Sequence, residues 1–403
     1  MTRSGIRFRP PKVRVTAEVR WVFLRAFGPL DAPFSEELDR TKVIELSRLF
    51  SLSPRIAARH ELERPAEEVG QEAAEALLMD HFSAEVSEER RLRTATYLAE
   101  IVAPTSVPLV FLKFVALQLA GALRPGCRGA VDVDVLVSED RAGGLFEMLV
   151  ESGFKAADFP ESEHQLPPLC HPTHGSVEVH RLVPGVRPDP AGPSATVTSL
   201  EQSGRLCPIR HWAGACAIPT KDVLAAHVLV HGIAQHGYSP SAYPMARMLA
   251  DLIDLGFVES AGEELARQAH RWIARDVSWE EVEATLMLVR LLAEGNLEGL
   301  ESGASDRPES LLWRHLVAGM LDASYKRALR LHAVRSGLSD RSAPAAVTRN
   351  LWQTVFLTRG QVDAIYGRPR SPLGYFGRRL CRPFDLVLRF SKYLYGFLKT
   401  RGR

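Results

Sequence analysis

Ala130-Val-Asp-Val-Asp-Val-Leu-Val137 carries a valine at every second position from Val131 to Val137. Period-two alternation of β-branched residues predicts a strand with one face in a core. Strand side chains point alternately to opposite faces, so Asp132 and Asp134 project together and the valines project the other way. Two carboxylates about two strand rises apart can hold a hard divalent cation jointly, as magnesium on phosphates requires. Two solvated acids on the wet face of an edge strand would give the same pattern, so the pair needs further support.

The flanking sequence frames that strand. Upstream, the apolar run Phe111 to Leu123 predicts a helix ending in the turn Arg124-Pro125-Gly126. Downstream, Ser138 is placed to cap a helix with Glu139 and Asp140 in its first turn, and Gly153 stands where a C′ glycine belongs. A second alternating stretch, Ser176-Val-Glu-Val-His180, predicts another strand. Together these elements predict an α+β fold, with the α/β core at 105–182.

Helical regions flank the core. In 1–104, Leu38, Val43, Ile44, Leu46, Leu49 and Phe50 recur near helical spacing, and Ala73 to Tyr97 is proline-free and rich in Ala, Leu and Glu. The interval 183–219 contains Pro184, Pro188, Pro190, Pro193, Pro208 and Pro219, and predicts an irregular connector. Helical patterning returns over 220–365. There Thr220 opens a run through His236, Met245 to Phe257 forms a second, and Ser278-Trp-Glu-Glu281 is a capping box opening a third to Glu294. The Gly- and Ser-rich stretch 295–310 predicts a loop. The tail, 366–403, sets ten Arg or Lys against one acid, Asp385. A basic amphipathic tail packs on its own core, binds an acidic partner protein or lies on an anionic membrane.

At 403 residues, 46% hydrophobic and 24% charged, the chain is no wholly disordered, collagen-like or polytopic membrane protein. Fifty basic and 48 acidic side chains leave no global field to draw nucleic acid, which is not an expected partner. Five cysteines without a C-x-x-C pair argue against a disulfide scaffold or a structural zinc cluster and suit a reducing cytoplasm. The basic N-terminal residues lack the apolar segment of a secretory signal. Val107 to Leu123 carries Lys113 and falls just short of the roughly 18 apolar residues that a span needs. A cytoplasmic, soluble protein is expected.

Further residues bear on the aspartate pair. Glu178 lies among valines on the second predicted strand, and a third carboxylate there would complete a two-metal cage. Lys113 interrupts an apolar segment, where a buried cation is costly without an anionic partner. Arg128 sits in the turn before the strand, within reach of the same anion. His180 shares the face of Glu178 and can touch the metal shell or a substrate, and His164 belongs to the same crowded histidine segment. His227 and His231 share a helix face, followed by His236. No Glu completes an H-E-x-x-H arrangement, so packing and polar contacts are expected of them.

Taken in order, three stretches resemble the "LKG-x-A-L … R-x-x-x-D-I-D-L-L-V … L-x-x-x-G-[FY]" signature of a little-characterised bacterial nucleotidyltransferase family in the polymerase-β-like superfamily. They are Phe111-Leu-Lys-Phe-Val-Ala-Leu117, Arg128-Gly-Ala-Val-Asp-Val-Asp-Val-Leu-Val137 and Leu149-Val-Glu-Ser-Gly-Phe154. His164-Gln-Leu-Pro-Pro-Leu169 and Val177-Glu-Val-His180 are similar to its next blocks, and His227, His231, His236 and Asp251 to its helical histidine region. The resemblance covers most of 90–260. It implies Asp132, Asp134 and Glu178 as catalytic residues and ligands of two Mg²⁺ ions. It also implies Lys113 and Arg128 at the nucleotide, and His164 and His180 at the substrate. The implied reaction moves a nucleoside monophosphate from an NTP to a hydroxyl-bearing acceptor, a small molecule or a peptide. One position departs: Phe114 stands where the family has glycine, and phenylalanine resists the left-handed backbone that glycine permits. Two readings follow, a competent transferase and a binding or scaffold protein that keeps the fold without turnover.

Overall fold

The computed structural model describes residues 10–326, apart from 61–62, 106, 158–161, 239–243 and 302–306, together with 329 and 377–378. The expected tail, 366–403, otherwise lies outside the described residues. Five helices come first: α1 (Ala17–Phe27), α2 (Arg40–Leu49), α3 (Ser53–His60), α4 (Glu63–Val69) and α5 (Gln71–Val102). With neither proline nor glycine to break it, α5 runs for 32 residues. It serves as a spine against which α2, α3, α4 and the strands β1 and β2 pack.

The sheet is built from β1 (Leu109–Phe111), β2 (Asp132–Leu136), β3 (Lys155–Ala156), β4 (Leu169–His171), β5 (Gly175–His180), β6 (Leu206–Pro208) and β7 (Cys216–Pro219). Helix α6 (Lys113–Leu119) joins β1 to β2, α7 (Glu139–Glu151) follows β2, and α8 (Val197–Gln202) precedes β6. The strand order is β3-β4-β5-β2-β1-β7-β6. Pairing is mixed: β2 runs parallel to β5 and antiparallel to β1, and β1 runs parallel to β7. The fold is therefore α+β, as the sequence predicts. Val133, Val135, Val177 and Val179 are fully buried on one face, so the acids of both strands share the other.

Helices close the chain: α9 (Lys221–Leu229) passing into a π-helical turn (Val230–Gln235), α10 (Met245–Asp254), α11 (Gly262–Ile273), α12 (Trp279–Ala293), α13 (Leu297–Glu301) and α14 (Pro308–Leu321). The Ser278 capping box forms with both reciprocal bonds, and Gly153 takes φ +96° just beyond α7. Ser138 and Thr220 occupy N-cap positions without side-chain capping bonds, since the Thr220 hydroxyl donates to Asp222 instead (2.6 Å). Helices α1 and α14 share a core, where the Phe23 ring meets Trp313 edge-on at 4.8 Å. Arg55 of α3 reaches across to α10. It donates to both oxygens of Asp254 (2.6 and 2.8 Å) and to the Ala26 carbonyl (2.9 Å).

Three local expectations need correction. The apolar run Phe111 to Leu123 is no single helix. Leu109-Val-Phe111 has strand neighbours on both edges, and the ladder bonds to β2 and β7 outweigh helix propensity. The connector 183–219 is partly ordered into α8 and the β6–β7 hairpin. Pro208 and Pro219 end these strands, where a missing N–H costs little. The stretch 295–310 holds α13 and the start of α14, with Pro308 at its first turn. No helix among the described residues is long and apolar enough to cross a membrane.

Candidate functional site

The register of β2 against β5 sets Asp134 opposite Glu178, Leu136 opposite His180 and Asp132 opposite Ser176. Asp134, Glu178 and His180 thereby bring ligating atoms within 4.8 Å of one another, the only such group of three among the described residues. Lys113, at the start of α6, places Nζ 2.6 Å from Asp134 Oδ1 and 3.7 Å from Glu178 Oε2. His180 Nε2 lies 2.9 Å from the same Asp134 oxygen and 3.6 Å from Glu178. One buried carboxylate thus meets two nitrogen donors.

The backbone at Lys113 has φ +47°, a conformation that side chains rarely adopt. Phe114, by contrast, does not have positive φ and continues into α6. The expected difficulty at Phe114 therefore shifts by one residue: the left-handed position is occupied by the lysine. Phe114 is buried, with its ring 5.8 Å from the Arg128 guanidinium.

Charge follows from this packing. Burial would lower the Lys113 ammonium, but Asp134 and then Glu178 overcome it and raise the lysine above its ordinary value. Burial would likewise raise Asp134, and Lys113 and His180 hold it well below the usual carboxylate range. His180 is raised, its carboxylate partners outweighing its burial. Asp132, outside that ion pair, is pushed up to about 6 by burial and by Asp134 beside it.

Arg128 is positioned from two sides. Glu88 of α5 accepts the backbone N–H groups of Gly126 (2.6 Å) and Arg128 (2.9 Å). The Arg128 Nε lies 2.9 Å from Asp251 Oδ1 on α10. Gly126 adopts φ +70° with the His81 ring packed where a Cβ would be, so only glycine suits this turn. Arg128 is thus paired with Asp251 and does not join the acids of β2 and β5. It does share a cavity of about 190 Å³ with Lys113 and Asp132. It is also lined by α9, its π-helical turn and α10, through Leu224, His227, His231 and Arg247.

Six of the seven sequence-predicted site residues therefore fall into two adjoining groups. Asp134, Glu178 and His180 form the compact cluster, and Asp132 and Arg128 face the cavity; Lys113 belongs to both. Compared with the expected metal trio, the compact cluster takes in His180 and leaves Asp132 at the cavity. His164 does not line the cavity; its ring stacks on His180 at 6.1 Å. The helical histidines are contiguous, with ring centroids of His227 and His231 6.0 Å apart and those of His231 and His236 4.4 Å apart. Burial lowers all three, His231 to about 4. Glu88 and Arg247 were not legible, because no local pattern separates them from solvated charges on a helix. Comparisons with protein-family models, curated proteins and solved structures return no match.

Proposed function

We propose that the protein is a nucleotidyltransferase that moves a nucleoside monophosphate from an NTP to a hydroxyl-bearing small molecule or peptide and releases pyrophosphate. The observation that carries this reading is the parallel pairing of β2 and β5. It sets Asp132, Asp134 and Glu178 on one face with a half-buried lysine beside them. The donor set fits a divalent cation: the carboxylates supply the hard oxygens that Mg²⁺ takes, and His180 stands at their inner edge. Asp132, Asp134 and Glu178 would hold Mg²⁺, which neutralises phosphate charge during displacement.

The chain's own residues do the rest. Lys113 and Arg128 flank the cavity as cations for phosphate oxygens, where charge-assisted hydrogen bonds are the strong ones. His180 holds Asp134 in place through Nε2, and His164 stacks behind it. Such a site works mainly by positioning and electrostatics. A cytoplasmic location, where NTPs are abundant, belongs to the same proposal. So does a protein or membrane contact made by the basic tail.

Incubation with α-labelled NTPs, Mg²⁺ and a metabolite extract tests the reading. Labelled acceptor should form with the wild type and not with Asp132→Ala plus Asp134→Ala. Equal labelling by both would end the assignment of these acids.

One observation favours the second reading, a binding or scaffold protein: Asp134 is already neutralised by Lys113 and His180. Thermal shift with each NTP, with and without Mg²⁺, separates the two. A Mg²⁺-dependent rise in Tm supports the enzyme, and no rise with any nucleotide supports the scaffold.

A further inference from the structure

We propose that the cavity beside β2 receives the hydroxyl acceptor and that His227 takes the acceptor's proton. This rests on the nucleotidyltransferase reading and adds to it a residue of α9.

The first support is placement. His227 of α9 lines the same cavity as Asp132 of β2 and Lys113 of α6. A molecule held there lies against both the imidazole and Asp132. The second is its unmet hydrogen bonding. His227 is only 6% exposed, its ring lies edge-on to that of His231, and it has no hydrogen bond to any described residue. Its nitrogens are not sealed in the core but open onto the cavity, where water or a ligand hydroxyl can bond them. The third concerns Glu178, which could also take the acceptor's proton but is already engaged. Glu178 lies against both Lys113 and His180, whereas His227 has no carboxylate neighbour of that kind.

Charge agrees with geometry. The groups that act on His227 are His231 of the following turn, Lys113 of α6, Asp134 of β2 and His180 of β5; Asp132, Arg128, Asp251 and Arg247 share the cavity wall. Burial, then His231 and Lys113, keep the ring neutral at physiological pH, the state that can accept a proton. A triphosphate in the cavity adds negative charge and raises the ring toward working pH, where general bases act best.

The step balances. The acceptor O–H bond breaks and its proton goes to His227, and the acceptor oxygen bonds to the α-phosphorus. The bond from the α-phosphorus to the oxygen bridging the β-phosphate breaks, and pyrophosphate leaves with that electron pair.

The test uses the whole chain, α-labelled ATP with Mg²⁺, and water and glycerol as hydroxyl probes. His227→Gln should bind a non-hydrolysable ATP analogue as the wild type does, yet transfer about 100-fold more slowly. It should also lose the rise in rate with pH that the wild type shows. His227→Ala, which opens space at the wall, should regain transfer when imidazole is added. A folded His227→Gln with wild-type rate and pH profile would overturn the role of His227 alone, as would a His227→Ala loss that imidazole does not restore. A wild type that binds no Mg²⁺–ATP would overturn the nucleotidyltransferase reading beneath it, and this role with it.

Discussion

Arg55, buried, and Lys113, half-buried, are both cations held by carboxylates, yet their surroundings differ in one respect. The Arg55 guanidinium meets Asp254 through two hydrogen bonds and gives a third to a carbonyl, so one charge faces one carboxylate in a sealed pair. Lys113 meets Asp134 and Glu178 while Asp132 stands nearby, so the acids outnumber the ammonium, and the lysine side chain remains 24% exposed at the cavity. A closed ion pair joins two helices. An open one with surplus acid favours a further cation, at some cost to stability.

Breaking the closed pair should have the largest effect. Arg55→Ala leaves Asp254 without its partner and should cost about 3–5 kcal/mol, read from denaturant unfolding. A loss below about 1 kcal/mol would erase the contrast. The open site should answer in the opposite direction. Asp132→Asn removes a carboxylate pushed up to about 6 and should raise stability at pH 7 by about 1–3 kcal/mol.

The sign follows from proton counts. Between about pH 4 and 6 the folded protein holds a proton on Asp132 that the unfolded chain has released, so wild-type stability falls as pH rises through that window. The advantage of Asp132→Asn should therefore vanish below about pH 4, and a constant offset across the range would refute the assignment. Lys113→Met sharpens the comparison further. Without the ammonium, the acids should bind Mn²⁺ alone about tenfold more tightly by calorimetry, a difference of about 1.4 kcal/mol. Weaker binding would mean that the lysine supports the ion. Ser278→Ala, far from either ion pair, gives the smallest expected change, about 1 kcal/mol from the lost cap.

The sequence was most readable where one period governed a segment. Alternation placed Asp132, Asp134 and Glu178 on a shared face, because β2 and β5 obey the same two-residue repeat and pair in register. It failed where the outcome depended on distant partners. Nothing local indicates that Leu109 to Phe111 would find strands on both edges, or that Glu88 would fix a turn about 40 residues downstream. The cost of burying a charge calls for an anionic partner at Lys113 but does not single out Asp134. The resemblance puts the left-handed backbone at Phe114, whereas Lys113 adopts it, one residue earlier.

The place of β1 between β2 and β7 bears on how the chain emerges from the ribosome. Leu109 pairs with Cys216, so the second edge of this three-residue strand stays bare until more than a hundred further residues are made. At about 5–20 residues per second that interval lasts roughly 5–20 s. Over that time β2 and β5 can already join, while β1 offers free N–H and C=O groups to any passing strand. Nascent chains stalled before the β6–β7 hairpin should therefore be the ones that depend on chaperones, with β1 as the point of first misassociation.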